Sequence, residues 1–149
     1  MSNHSWKCYV EKLNLSLVSA AVRHIRDAEA LLASSPDQAW HLAGFGPECM
    51  RKAVLTLPWA GKALGHDLDG SEAVVLSLVL ELDPHARRYQ GTTRLGSHAI
   101  LDRWDVKHRY DQTGTWVQSA RELVATCSTE VQRLLASIVA CGLLRSEVP

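Results

Sequence analysis

Residues 13 to 43 read LNLSLVSAAVRHIRDAEALLASSPDQAWHLA. Leu13, Leu17, Ala20, His24, Ala28 and Leu31 fall three and four residues apart, the spacing of one apolar helix face, and predict an amphipathic helix from about Val10 to Ala33. Ser34-Ser35-Pro36 then closes one helix and opens the next, because proline at the first helical position needs no partner for its missing N–H. The second helix is expected to run from Pro36 to about Trp59. Within it, Ala43-Gly44-Phe45-Gly46-Pro47 is costly for an undisturbed helix, so the segment must kink or pack its bare backbone closely on a neighbour.

The same grammar continues outward. Gly61 to Gly70 reads as a loop, Ser71 as the cap of a helix through Leu80 to Leu82, and Asp83-Pro84 as the start of a helical piece to about Tyr89. The Val-Val-Leu content near residue 75 also suits a strand, but no partner strand is apparent. Gly91 to Gly96 is a loop, Ser97 to Tyr110 a short segment, and Asp111-Gln112-Thr113-Gly114 a break. Thr115 and Gln118 predict a capping box for a last helix with Val117, Ala120, Val124, Cys127, Val131, Leu134, Ile138 and Val139 on its apolar side, ended by Gly142. The expected architecture is all-α, an antiparallel bundle of four to five helices in one domain spanning residues 1 to 149.

Composition agrees with one soluble domain: 149 residues, 46% hydrophobic and 21% charged, with 16 basic against 16 acidic side chains. Zero net charge excludes a histone-like or ribosomal coat of positive charge and the acidic, aromatic-poor composition of a disordered chain. The N-terminal residues hold no signal-like apolar stretch, and the run from Ala73 to Leu82 is about half the length that spans a bilayer, so a cytoplasmic protein without membrane contact is expected. Cys8, Cys49, Cys127 and Cys141 show neither zinc-knuckle nor disulfide-framework spacing and are expected to be reduced.

Charge is nevertheless uneven. From Pro84 to Tyr110, Arg87, Arg88, Arg94, Arg103, Lys107 and Arg109 face only Asp102 and Asp105, interleaved with His85, His98, His108, Tyr89, Trp104 and Tyr110. Such a mixture suits phosphate binding and base stacking, or else a solvated face with Asp105 and Arg109 paired at i,i+4. No glutamate has a histidine three residues on, and His-Glu-x-x-His, Gly-x-Ser-x-Gly and a Walker loop are absent, so neither a metal nor a nucleotide-loop cofactor is expected. His24 reads as a core histidine on the first helix.

Arg103-Trp104-Asp105-Val106-Lys107-His108-Arg109-Tyr110 resembles the Arg, four to six residues, His motif of HEPN domains (higher eukaryotes and prokaryotes nucleotide-binding), in the Arg-x4-His-x-Tyr form of their toxin members. The segment from His41 through Gly44, Glu48 and Lys52 to Ala53 resembles the family's Leu-Ala-Gly-Tyr-x-x-Glu-x-x-x-Lys-Ala helix, and Gly65-His66-Asp67-Leu68 its His-x-Leu segment. The resemblance implies a helical bundle and a metal-independent endoribonuclease with a composite site at a homodimer interface. Its role would lie in toxin action, defence or RNA processing, restrained by a nucleotidyltransferase-like antitoxin.

On that reading Arg103, His108 and Tyr110 are catalytic, and Arg109, Lys107, Trp104, Arg94, Arg88 and Arg87 bind RNA phosphates or stack bases. Glu48, Arg51 and Lys52 lie near the site or in surface or buried pairs. Trp104 followed by Arg109-Tyr110 also resembles family members without nuclease function, which implies the alternative of a non-catalytic module binding nucleotide, RNA or a protein. On one regular helix Arg103 and His108 would point about 140° apart.

Overall fold

Asn14 decides where the first helix begins, because its side chain accepts the Leu17 amide at 3.2 Å and its own amide bonds the Ala53 carbonyl at 2.9 Å. The structure, a computed structural model, describes residues 13–55, 57–66, 68, 73–84, 87 and 94–142. Every regular element among them is helical: α1 Leu15–Leu31, α2 Pro36–Ala43, α3 Phe45–Lys52, α4 Ala60–Leu64, α5 Ala73–Leu82, α6 Ala99–Asp102, a 3₁₀ helix Val106–Tyr110 and α7 Ala120–Ala140. Helices α1, α2, α3 and α7 pack on one another as a helical bundle, α6 lies on α7, and the 3₁₀ helix lies on α2.

The expected first helix is present with a shifted face. Val18, Ala21, Ile25 and Ala28 are its buried stripe, while Leu17 and Leu31 flank the core and Leu13 is buried just ahead of the helix. On α7 the expected Ala120, Val124, Cys127, Val131, Leu134 and Ile138 are all buried, joined by Leu123. α7 meets the length and composition of a membrane span, but this stripe is spent on the bundle core. Gly142, at φ +72°, ends it as expected.

Several boundaries differ from the sequence reading. The second helix is two, α2 and α3, divided at Gly44. Pro47 in the first turn of α3 has no N–H for the preceding turn, which favours a fresh helix start over continuation. α3 ends at Lys52 rather than near Trp59.

The expected loop after residue 60 contains α4, whose Ala60 and Leu64 are buried, with Leu64 packed on Leu76 and Leu80 of α5 in a small second core. Burial outweighs the weak helix propensity of five residues with a glycine. The Thr115–Gln118 box does not form either. Residues 113–119 are turns, Thr115 Oγ1 donates back to the Gln112 carbonyl at 2.6 Å, and Val117 is exposed outside the helix. The caps expected at Ser71, and most of the piece to Tyr89, lie outside the described residues.

The two odd glycines have one physical explanation. A Cβ on Gly44 would stand 2.1 Å from Trp104 Cε2, and one on Gly46 2.6 Å from Ile25 Cδ1 and 3.1 Å from Val131 Cγ2. Bare backbone is what lets α3 lie against α1, α7 and the Trp104 ring.

Candidate functional site

The site is built on two indoles. Trp40, fully buried on α2, stacks on Trp116 with centroids 4.0 Å apart and planes 8° from parallel. Trp116 belongs to no helix, so something else must hold it. Asp37, in the first turn of α2, accepts the Gly114 amide at 2.6 Å and the Trp116 amide at 2.8 Å, and Asp111 accepts the Trp116 indole N–H at 2.9 Å. Gly114 takes φ +98°, the left-handed region that glycine supplies at little cost.

His108 and Arg103 both arrive on this stack. They are on separate elements, Arg103 at the C-terminal cap of α6 and His108 in the 3₁₀ helix, so the 140° separation of a continuous helix does not apply. His108 lies 4.3 Å from Trp116 and 5.9 Å from Trp40 between ring centroids. Its Nδ1 accepts from Trp40 Nε1 at 2.9 Å and from the Asp105 amide at 3.2 Å, the second bond completing a capping box with Asp105, whose carboxylate takes the Lys107 amide at 2.7 Å. Two donors aimed at Nδ1 assign the ring hydrogen to Nε2, so the outer edge of His108 is a donor. The Arg103 guanidinium carbon stands 5.7 Å from the centroid of each indole and its Nη2 donates to Ser119 Oγ at 3.3 Å.

The other candidates divide. Arg109 covers the ring of Tyr110 at 4.8 Å, and Tyr110 is 76% exposed beside the exposed Lys107. Trp104 is a correction: it is 3% exposed, donates its indole N–H to the His41 carbonyl at 3.2 Å and fills the space over Gly44, so no base can stack on it. Two more members of the basic stretch have local partners among the described residues. Arg87 pairs with Glu81 at 3.3 Å, while Arg94 belongs to a loop anchored on α7 through Arg133, which donates to the Arg94 carbonyl at 2.7 Å. His98 of that loop meets buried Glu130, which also accepts the Gly96 amide at 2.8 Å and Arg133 at 2.7 Å. Asp105 caps rather than pairing with Arg109. Arg88, His85 and Tyr89 lie outside the described residues.

A second cluster stands on α3. Glu48 and Arg51 are buried, and Glu48 Oε1 takes Lys52 Nζ at 2.8 Å and faces His66 Nδ1 at 2.9 Å. Phe45 ties the clusters together, with His41 at 5.1 Å, Trp104 at 5.2 Å, His24 at 5.5 Å and His66 at 6.3 Å between ring centroids. Burial lowers the pKa of His41, and the positive charge of Arg109 adds to it. His24 is lowered for the same first reason, but it is half-buried beside the Val18–Ala28 stripe and not in the core as expected.

Burial alone would raise the Glu130 carboxyl, but the Arg133 and Gly96 hydrogen bonds outweigh it and leave it lowered. Cys49, Cys127 and Cys141 are free thiols; burial pushes Cys49 up to about 11 and Cys127 further, which makes both poor nucleophiles at neutral pH.

The residues that sequence reasoning missed are Trp40, Trp116, Asp37, Asp111 and Ser119. Their only signals were ordinary ones, a tryptophan in a short helix and a polar turn, and their convergence depends on contacts between distant segments. What the arrangement offers chemically is a guanidinium and an imidazole N–H, both anchored to a rigid aromatic floor, at a surface that also bears Arg109 and Lys107. Comparisons with protein-family models, with curated proteins and with solved structures gave no match.

Proposed function

We propose that the chain is a cytoplasmic, HEPN-like, metal-independent endoribonuclease that works as a homodimer, in a toxin, defence or RNA-processing role under a nucleotidyltransferase-like antitoxin. The observation that carries this reading is the meeting of Arg103 and His108 on the Trp40–Trp116 stack. RNA brings its own nucleophile, so the protein has to position a phosphodiester and stabilise charge on it.

The Arg103 fork and the His108 Nε2–H donate to the non-bridging oxygens as the 2′-oxygen attacks phosphorus. The P–O5′ bond breaks, leaving a 2′,3′-cyclic phosphate and a 5′-hydroxyl. Because Nδ1 is engaged twice, His108 acts here as a donor; the 2′-hydroxyl loses its proton to solvent base, and the 5′-oxygen regains one from solvent. Arg109, Lys107 and exposed Tyr110 hold the flanking backbone.

That engaged Nδ1 also favours a second reading, a non-catalytic module that binds RNA or nucleotide at the same donors. One experiment separates them. RNA is incubated with the protein in EDTA beside His108→Ala and Arg103→Ala. The nuclease reading expects cyclic-phosphate ends, a rate that rises with pH, and a loss of about a hundredfold in each variant. Salt-sensitive RNA binding without turnover supports the module, and equal cleavage by all three proteins removes the nuclease reading.

A further inference from the structure

Between the end of α3 and α4 lies an open, solvent-facing pocket of about 500 Å³ lined by Lys52, Pro58, Gly61, Lys62, Gly65 and His66. That volume falls within the range of small-molecule sites and far exceeds a bare anion. Its wall is organised from beneath by Glu48, buried to 5% exposure. Lys52 Nζ donates to Glu48 Oε1 and to the Gly65 carbonyl, and Gly65 reaches that position at φ +64°. An ionised carboxylate only accepts, so His66 Nδ1 is the donor to Glu48 and Nε2, on the opposite edge of this exposed ring, is left for a ligand.

Glu48 offsets the charge of one lysine. Lys62, exposed and without an ion-pair partner among the described residues, leaves the cavity wall with surplus positive charge. Among the described residues the lining carries two lysines and an imidazole, point donors of the kind that hold a phosphate group.

We propose that this cavity is a second ligand site, for a small phosphate-bearing molecule contacted by Lys62, Lys52 and His66 Nε2. Glu48 and Gly65 act as positioning residues: the first fixes the His66 ring and the Lys52 ammonium, and the second shapes the turn that closes the wall. His66 accepts from the P–OH of a monoprotonated phosphate or, once protonated, donates to the dianion. The site stands apart from the Arg103–His108 cluster and does not depend on the nuclease reading.

Titration calorimetry on the full chain tests it with pyrophosphate, a nucleoside 5′-monophosphate and the matching nucleoside as probes. Expected are saturable binding of the two phosphates in competition, none of the nucleoside, and about tenfold weaker binding in Lys62→Ala and in His66→Ala. Arg26→Ala, on the exposed face of α1 and outside both clusters, is expected to bind within about twofold of the parent. Both cavity side chains are exposed, and thermal melts verify that the variants fold. Absence of saturable phosphate binding, equal binding of the nucleoside, or weakening by Arg26→Ala in place of the cavity variants overturns the assignment.

Discussion

His108 and His66 are each tied at Nδ1, but with opposite polarity. His108 accepts there from an indole and an amide, so its outer nitrogen carries a hydrogen; His66 donates there to Glu48, so its outer nitrogen is an acceptor until protonated. One edge of the bundle therefore offers a fixed donor on an aromatic floor and the other an adaptable nitrogen beside two ammonium groups. A histidine's chemistry is set by what holds its buried side, more than by its distance to other charges.

Four perturbations break or sharpen this contrast. The largest effect is expected from Gly44→Leu, because the added carbon would stand 2.1 Å from Cε2 of the buried Trp104 ring. A loss of about 3 kcal/mol in urea unfolding is expected, at the upper end of overpacking. Unchanged stability would mean that α3 can back away from Trp104, and with it that the floor is soft.

On the cavity side, Glu48→Gln keeps the shape and removes the charge under Lys52 and His66. We expect about 2 kcal/mol of destabilisation, because Lys52 is left half-buried without its counterion. Phosphate binding should weaken as His66 loses its anchor. Stability equal to the parent would show that the pair contributes no more than a surface one.

Trp40→Phe keeps one aromatic ring in the core but removes the pyrrole half of the indole and with it the donor to His108. About 1 kcal/mol is expected from chemical denaturation. Nitrogen-detected NMR of the parent should show Nδ1 unprotonated in His108 and protonated in His66. Identical tautomers in the two rings would abolish the contrast.

The smallest effect concerns pH. His41 sits between the clusters with its folded pKa lowered by burial, so the unfolded chain takes up a proton that the folded one resists. Stability is then undiminished above about pH 6.5 and falls as pH drops below it, towards the folded value. His41→Gln should flatten the fall of melting temperature below about pH 6.5; an unaltered slope would assign the effect to half-buried His24 instead.

Local signals carried a large part of the architecture. The Ser35-Pro36 start, the α7 stripe and the Gly142 stop were legible because each is encoded within a few residues. Arg103 and His108 were legible as a pair in sequence, although the bend that unites them was not. The break at Gly44 and the turns before Ala120 were missed because distant side chains decide them: the Trp104 ring over Gly44 and the Asp37 carboxylate on residues 114 and 116. Trp104 was misread because an indole in a basic stretch looks like a stacking surface until its burial is known.

The Asp37 clamp reaches 77 and 79 residues along the chain, and the Trp40–His108 bond 68. Closures this long form late, after α2 and the segment before α7 have found each other. During synthesis Trp40 emerges before Trp116 and lacks its stacking partner until residue 116 has left the ribosome, so a chain stalled before that point has no floor on which to assemble the site. The site therefore acquires its chemistry only once Trp116 has joined Trp40.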